Sequence, residues 1–235
     1  MDMMLHLDLF TVADAVALAV LFASWIGMSA LIERPGARIL SVSMLMVEYR
    51  REWMRQFVTR QPRIFDATII DSLRQGSTFF ASACMIAIGG GFALVGNSER
   101  FLGVANDLTL QAASALVLEV KILLVLFFVA DAFLKFVWAH RLFGYCAIIM
   151  GAVPNDPSHP LASHRGSQAA EINITAARNF NRALRSVYFA LGAIGWLAGP
   201  VPLIVTTLAT VAVLWRSEYA SRSRQVILAQ AGQKL

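Results

Sequence analysis

The stretch Leu123–Phe128 reads L-L-V-L-F-F, and four charged residues flank it: Glu119, Lys121, Asp131 and Lys135. A continuous apolar run is typical of a membrane-spanning helix, because the hydrocarbon core of a bilayer accommodates about 20 mostly apolar residues. Charges inside or beside such a run are costly, so they need partners, water or a function. The stretch therefore predicts a helical membrane protein and marks these four residues as candidate intramembrane charges.

The composition of the whole chain agrees with a membrane protein. Of 235 residues, 57% are hydrophobic and 15% are charged, whereas a soluble domain has about 45–50% apolar and about 25% charged residues. The length suits one helical bundle, so we expect a single all-α, polytopic domain over residues 1–235. The net charge of +5 comes mostly from Arg beside apolar segments, and no nucleic-acid motif accompanies it.

The apolar pattern predicts four to five membrane segments. Their expected positions are 9–32, 75–96, 112–138, 187–199 and 202–215. The last two flank Gly199–Pro202, so they form either one kinked span or a hairpin. The positive-inside rule places the N-terminus outside and the long Arg-rich loops in the cytoplasm. A hairpin keeps the basic C-terminal tail cytoplasmic as well, and the charges therefore favour it.

Two further segments have one apolar face at helical spacing and are predicted to be amphipathic cytoplasmic helices. In 38–60 this face includes Tyr49 and Trp53, and the helix either lies in the headgroup region or packs on the bundle. The second covers about 167–185, with Ser167 as the predicted N-cap.

The second amphipathic helix carries the densest polar cluster of the chain. Its candidate ligand-binding or partner-binding residues are Glu171, Asn173, Arg178, Asn179, Asn181, Arg182 and Arg185. Arg side chains suit carboxylate and phosphate groups, so the cluster could bind lipid headgroups or another anionic ligand. It could instead pair with acidic residues of the first loop as a structural lock. The acidic residues considered are Glu48, Glu52, Asp66 and Asp71.

The candidate intramembrane charges also have two interpretations. Asp131 and Lys135 are four residues apart and share a helix face, so they can form a structural pair. Glu119 either faces the bundle interior, where it needs a donor, or lies in interfacial water. In a transporter or channel, Glu119 and Asp131 would line a polar path between helices.

No catalytic or metal-binding pattern appears in the sequence. Cys84 and Cys146 lie in apolar stretches, where reduced thiols are expected, and His159 and His164 have only Asp156 nearby. We therefore predict no metal and no cofactor, and the sequence leans away from an enzyme.

Four short motifs stand out in the sequence: E-I-N-I-T-A-A-R-N-F-N-R-A-L-R-S-V-Y-F at Glu171–Phe189, R-x-W-M at Arg51–Met54, F-F-A-S at Phe79–Ser82 and W-R-S-E-Y at Trp215–Tyr219. They resemble a bacterial membrane-protein family known only as a domain of unknown function. The N-F-N-R-x-L-R part is the most specific. The resemblance implies a polytopic protein of the bacterial inner membrane, and it supplies no catalytic residues.

Two hypotheses of function follow. The first is a non-enzymatic inner-membrane protein whose cytoplasmic polar surface binds lipid headgroups or a protein partner. The alternative is a small transporter or channel that uses intramembrane carboxylates.

Overall fold

A computed structural model describes residues 10–98 and 114–229, and every regular element in these residues is helical. This confirms the all-α prediction. The α-helices, numbered along the described residues, are α1 (Val12–Ile32), α2 (Val42–Thr59), α3 (Ile64–Val95), α4 (Ala115–Gly151), α5 (Pro160–Ala193), α6 (Pro200–Tyr219) and α7 (Arg222–Leu228), with a short 3-10 helix at Ile194–Ala198.

Side-chain caps fix the starts of the first two helices. Thr11 and Asp14 cap α1 reciprocally, since Asp14 Oδ2 accepts from Thr11 N at 2.9 Å and Asp14 N donates to Thr11 Oγ1 at 3.2 Å. Ser41 Oγ accepts from Met44 N at 3.2 Å at the start of α2. The same hydroxyl donates to Ile32 O at 2.7 Å. These bonds satisfy backbone groups that a helix end leaves without partners.

The chain divides into two compact units. Unit 1 comprises Met1–Leu31, Cys84–Ala132 and Leu184–Arg216. Unit 2 comprises Ile32–Ala83, Phe133–Ala183 and Ser217–Leu235.

Aromatic rings and close helix contacts form the core of unit 1. Phe128 is fully buried, and its ring lies 5.6 Å from Phe22 and 5.2 Å from Trp25. Gly91 packs against Leu126 with no room for a Cβ atom. At Gly199, with φ 118°, the chain turns back, and Thr206 Oγ1 donates to Gly192 O at 2.7 Å. The start of α6 therefore packs along the end of α5.

The core of unit 2 joins α2 to the later helices of the same unit. Met54 and Phe57 pack in one buried cluster with Cys146 and Ala169. Gly166 allows α5 to approach α2 closely, because a Cβ atom there would overlap Val58. The packing shows that α2 lies against other helices of the unit. Tyr49, expected on the apolar face, is instead 54% exposed.

Three helical segments of the described chain are long and apolar enough to cross a membrane: Val12–Ile32, Ile64–Val95 and Pro200–Leu228. The predicted count of four to five is not confirmed. The segment predicted at 112–138 begins outside the described residues, and its remainder lies within α4.

Two predicted boundaries are wrong. Residues 187–199 are not a separate helix, because α5 continues to Ala193 and the 3-10 helix follows. The second amphipathic helix begins at Pro160 rather than Ser167. Proline suits the first helical position, and His159 Nδ1 accepts from Leu161 N at 3.2 Å. Ser167 lies inside the helix, where its hydroxyl donates to Ser163 O.

Candidate functional site

The first part of the predicted polar cluster contacts α2. Glu171 accepts from Arg51 Nε at 2.8 Å, and Arg51 also bonds Glu48 at 2.7 Å. These hydrogen bonds raise the pKa of Arg51. Asn173 is fully buried and accepts a hydrogen bond from Arg50. Both residues therefore take part in helix-to-helix contacts within unit 2.

Asn173 also contacts a buried thiol. Its Nδ2 lies 3.8 Å from Cys146 Sγ, and the thiol donates to Ala169 O at 3.4 Å. Burial raises the pKa of Cys146 to about 11, and burial lowers the pKa of Arg50. The thiol is thus protonated and shielded, which does not suit a nucleophile.

Arg178 and Arg182 lie beside one carboxylate. Arg182 Nε lies 2.9 Å and 3.0 Å from the two oxygens of Glu33, and Arg178 Nε lies 4.0 Å from Glu33 Oε2. The hydrogen bonds from Arg182 to Glu33 raise the pKa of Arg182. Glu33 immediately follows α1. The sequence marked it only as a polar residue at a helix end and did not indicate that it pairs with Arg182.

The remaining cluster residues have separate partners. Asn179 Nδ2 donates to Thr175 O of its own helix at 2.9 Å. Asn181 Nδ2 donates to Ser43 Oγ at 3.3 Å. Arg185 is buried in unit 1 and donates to Ser29 Oγ at 3.3 Å.

The acidic residues expected to pair with the cluster mostly have other partners. Asp66 is fully buried and binds Arg60 at 2.5 Å and Trp53 Nε1 at 2.7 Å. Asp71 accepts from Gln75, and Glu52 pairs with Arg55. Only Glu48 reaches the cluster, through Arg51.

The motifs that carry the family resemblance meet inside unit 2. Phe80 of F-F-A-S and Phe180 of N-F-N-R lie 5.8 Å apart, ring to ring. Arg51 of R-x-W-M bonds Glu171. Ser43 forms hydrogen bonds with Asn181 of N-F-N-R and with Glu218 of W-R-S-E-Y. Residues of these separate stretches are thus joined within unit 2, directly or through Ser43.

Two of the candidate intramembrane charges accept hydrogen bonds from serine side chains. Glu119 accepts from Ser98 Oγ at 2.6 Å, and Asp131 accepts from Ser186 Oγ at 2.5 Å. Lys121 is 3% exposed. Lys135 lies on the unit 2 part of α4 and is partly buried.

Lys121 belongs to a group of polar side chains that also includes Asp14, a residue that was not predicted to be functional. Its Nζ lies 5.9 Å from the ring centre of Trp196, and Trp196 Nε1 donates to Asp14 Oδ1 at 2.7 Å. Asp14 is 8% exposed. The only signal in the sequence was an acidic residue near the start of an apolar segment.

A cavity of about 330 Å³ opens between α3 and the end of α4 in unit 2. Its lining includes Phe57, Arg63, Ile70, Arg74, Met150 and Gly151. No sequence pattern singled out this combination. Among the described residues, no group of three or more His, Cys, Asp or Glu could hold a metal ion.

The chain belongs to the family described as protein of unknown function DUF599, whose model matches residues 16–223. The match confirms the predicted resemblance to an uncharacterised family. No curated protein and no solved structure matches the chain.

Proposed function

We propose that this member of a family of unknown function is a non-enzymatic protein of the bacterial inner membrane that binds anionic lipid headgroups through unit 2. In this proposal unit 2 faces the cytoplasm, the N-terminus lies outside, and the C-terminus is cytoplasmic.

The observation that carries the proposal is the uneven distribution of charge between the units. Unit 2 contains sixteen Lys and Arg residues and eight Asp and Glu residues, whereas unit 1 contains four and seven. Basic residues near membrane segments favour the cytoplasmic side. The cytoplasmic leaflet attracts them further when it contains anionic lipid.

The structure also separates two kinds of arginine in unit 2. Arg51, Arg178 and Arg182 lie beside carboxylates of the same unit. Arg34, Arg38 and Arg222 are exposed, and none has an ion pair in the described part of the chain. We infer that the first kind locks unit 2 together and that the second kind meets headgroups.

The test compares lipids retained by the protein in nanodiscs made from equal amounts of phosphatidylglycerol and phosphatidylcholine. The wild type should retain an excess of phosphatidylglycerol that falls with added salt. The variant R34Q/R38Q/R222Q should lose most of this excess, and the matched variant R34K/R38K/R222K should keep it. An equal lipid ratio for the wild type would reject the proposal; specific capture of a protein partner without lipid preference would also reject it.

One observation favours transport as a second candidate function. Asp14 and Lys121 are buried in unit 1 on helices α1 and α4, and each contacts Trp196. Buried ionisable groups in membrane helices commonly mark ion or proton paths. Proteoliposomes loaded with a pH-sensitive dye should then take up protons faster than empty liposomes, and D14N should abolish the difference. A rate equal to that of empty liposomes rejects proton transport.

A further inference from the structure

We infer that the cavity between α3 and α4 is a specific site for a phosphate group, held chiefly by Arg74. The inference rests on the proposed function and deepens it, because it separates one built site from the general attraction of headgroups to unit 2. The phosphate could come from the headgroup of phosphatidylglycerol or from a soluble anion.

The cavity lies along one face of α3. The lining includes Arg63, immediately before α3, and Ala67, Ile70 and Arg74 within α3, at steps of four, three and four residues. Such spacing places side chains on one side of a helix. The opposite wall includes Met150 at the end of α4. The site therefore combines two guanidinium groups and one carboxylate, that of Asp71, with an apolar wall.

Arg63 is held in place by its own contacts. NH1 donates to Val153 O at 2.8 Å, and NH2 donates to Val58 O at 3.0 Å and Pro154 O at 2.9 Å. The guanidinium also lies 4.7 Å from the ring centre of Phe57. Its Nε is buried and has no hydrogen-bond partner in the described part of the chain.

Arg74 has no such ties. Its Nε is buried without a hydrogen-bond partner among the described residues, and none of its side-chain nitrogens forms an ion pair there. The nearby carboxylate of Asp71 accepts from Gln75 Nε2 at 2.6 Å. A partly buried guanidinium without a counter-ion is suited to bind an anion, and its planar donors fit phosphate oxygens.

The position of Arg74 along α3 matches the depth of a lipid phosphate. The helix has 32 residues and is about 48 Å long at about 1.5 Å per residue. About 20 residues cross the hydrocarbon core. Counted back from Val95, those residues begin at Gly76, two positions after Arg74. Arg74 therefore lies where the apolar part of α3 meets the headgroup region, in the membrane orientation proposed above.

Gly151 offers a way to block the cavity without changing charge. It lines the cavity, and a Cβ atom there would meet nothing within 4 Å. A leucine side chain can therefore enter the open space. A Cβ atom at Gly90, which is exposed on α3, would likewise meet nothing within 4 Å, so G90L is the matched control.

The experiment measures phosphatidylglycerol that remains bound after a high-salt wash, by native mass spectrometry of protein released from mixed nanodiscs. In a second arm, inorganic phosphate is titrated calorimetrically into protein in phosphatidylcholine nanodiscs. The variants are R74Q and G151L, with R55Q and G90L as controls. Arg55 pairs with Glu52 at an exposed position, so R55Q makes the same charge change away from the cavity.

We expect the wild type to retain phosphatidylglycerol through the wash. R74Q should bind it at least about tenfold more weakly, as loss of a charged hydrogen bond predicts. G151L should weaken binding to a similar extent, because its side chain occupies the cavity. R55Q and G90L should match the wild type. Binding of inorganic phosphate that depends on Arg74, without retained lipid, would support the anion site with a soluble source. A salt-sensitive excess of phosphatidylglycerol before the wash would still support the proposed function in that case.

Equal binding by wild type, R74Q and G151L in both arms overturns the inference. If those proteins nonetheless keep a salt-sensitive excess of phosphatidylglycerol, the proposed function stands and only the site is rejected. Size-exclusion profiles and circular dichroism verify folding, and G151L tests the cavity independently should R74Q fail to fold.

Discussion

Glu218 caps the first turn of α2 from a position 175 residues away in the chain. Its carboxylate accepts from Ser43 N at 2.9 Å and from Ser43 Oγ at 2.7 Å. A negative group at a helix N-terminus satisfies a free N–H and interacts favourably with the helix dipole. The W-R-S-E-Y motif thus acts as a remote cap of α2.

Replacing this carboxylate should destabilise unit 2. We expect E218A to lower the free energy of unfolding by about 1–2 kcal/mol, the usual effect of removing a helix cap. Thermal unfolding in detergent, followed by tryptophan fluorescence, measures the change. E52A is the control, because the pair of Glu52 with Arg55 is exposed. An E218A midpoint no lower than that of E52A would show that the cap contributes nothing.

The buried carboxylate of Asp66 predicts a difference between two substitutions. Oδ1 accepts from both Arg60 and Trp53, whereas Oδ2 is buried without a hydrogen-bond partner in the described chain. D66A removes the acceptor and leaves the indole N–H unsatisfied, so we expect a loss of about 2–3 kcal/mol. D66N keeps an acceptor oxygen and should cost less. Unfolding midpoints of the two variants measure this difference. If D66N lost as much unfolding free energy as D66A, the role of Oδ1 as the acceptor would be contradicted.

The sequence predicted helices well where local residues control them. α1 ends at Ile32 and α2 at Thr59, shortly before Pro35-Gly36 and Pro62 respectively, because proline and glycine disrupt helices locally. The prediction of Ser167 as an N-cap was wrong. A serine inside a helix can donate to the carbonyl four residues earlier, as Ser167 does here to Ser163 O.

The candidate functional site was predictable only in part, because its contacts join residues that are far apart in the chain. Polar residues at helical spacing marked the cluster on α5. Their partners were not marked, because Glu33 and Arg182 are 149 residues apart and no local pattern connects them. The cavity at Arg74 was missed because it depends on the absence of a partner, which only three-dimensional packing reveals.

The thiol of Cys146 predicts a dependence of stability on pH. Burial raises its pKa from an ordinary value of 9.0 to about 11. The folded state therefore holds this proton more tightly than the unfolded state, and the resulting stability is complete below pH 9 and is lost as pH rises to about 11. The difference in unfolding free energy between wild type and C146A should shrink over this range.

Measurement of the wild type alone would not isolate this effect, since other groups titrate at the same pH. Denaturant unfolding of wild type and C146A at about pH 8 and about pH 10.5 gives the required difference. Maleimide should also label Cys146 of a C84S variant very slowly at about pH 8 until denaturant is added, because the thiolate is the reactive form. Rapid labelling of the folded protein would contradict the burial of this thiol.

The contact between Arg182 and Glu33 predicts how the polar cluster of α5 divides between structure and lipid binding. Arg182 bonds both carboxylate oxygens, whereas Arg178 lies at 4.0 Å. Because the Arg182 side chain is 43% exposed, solvent weakens the pair, and a double-mutant cycle of R182Q and E33Q should give a coupling of about 0.5–1 kcal/mol. The cycle with R178Q should give a smaller coupling. If these residues lock unit 2, R182Q lowers the unfolding midpoint and leaves phosphatidylglycerol retention unchanged. The reverse result, an unchanged midpoint with reduced retention, would assign Arg182 to headgroup binding and contradict the division between locked and headgroup-binding arginines.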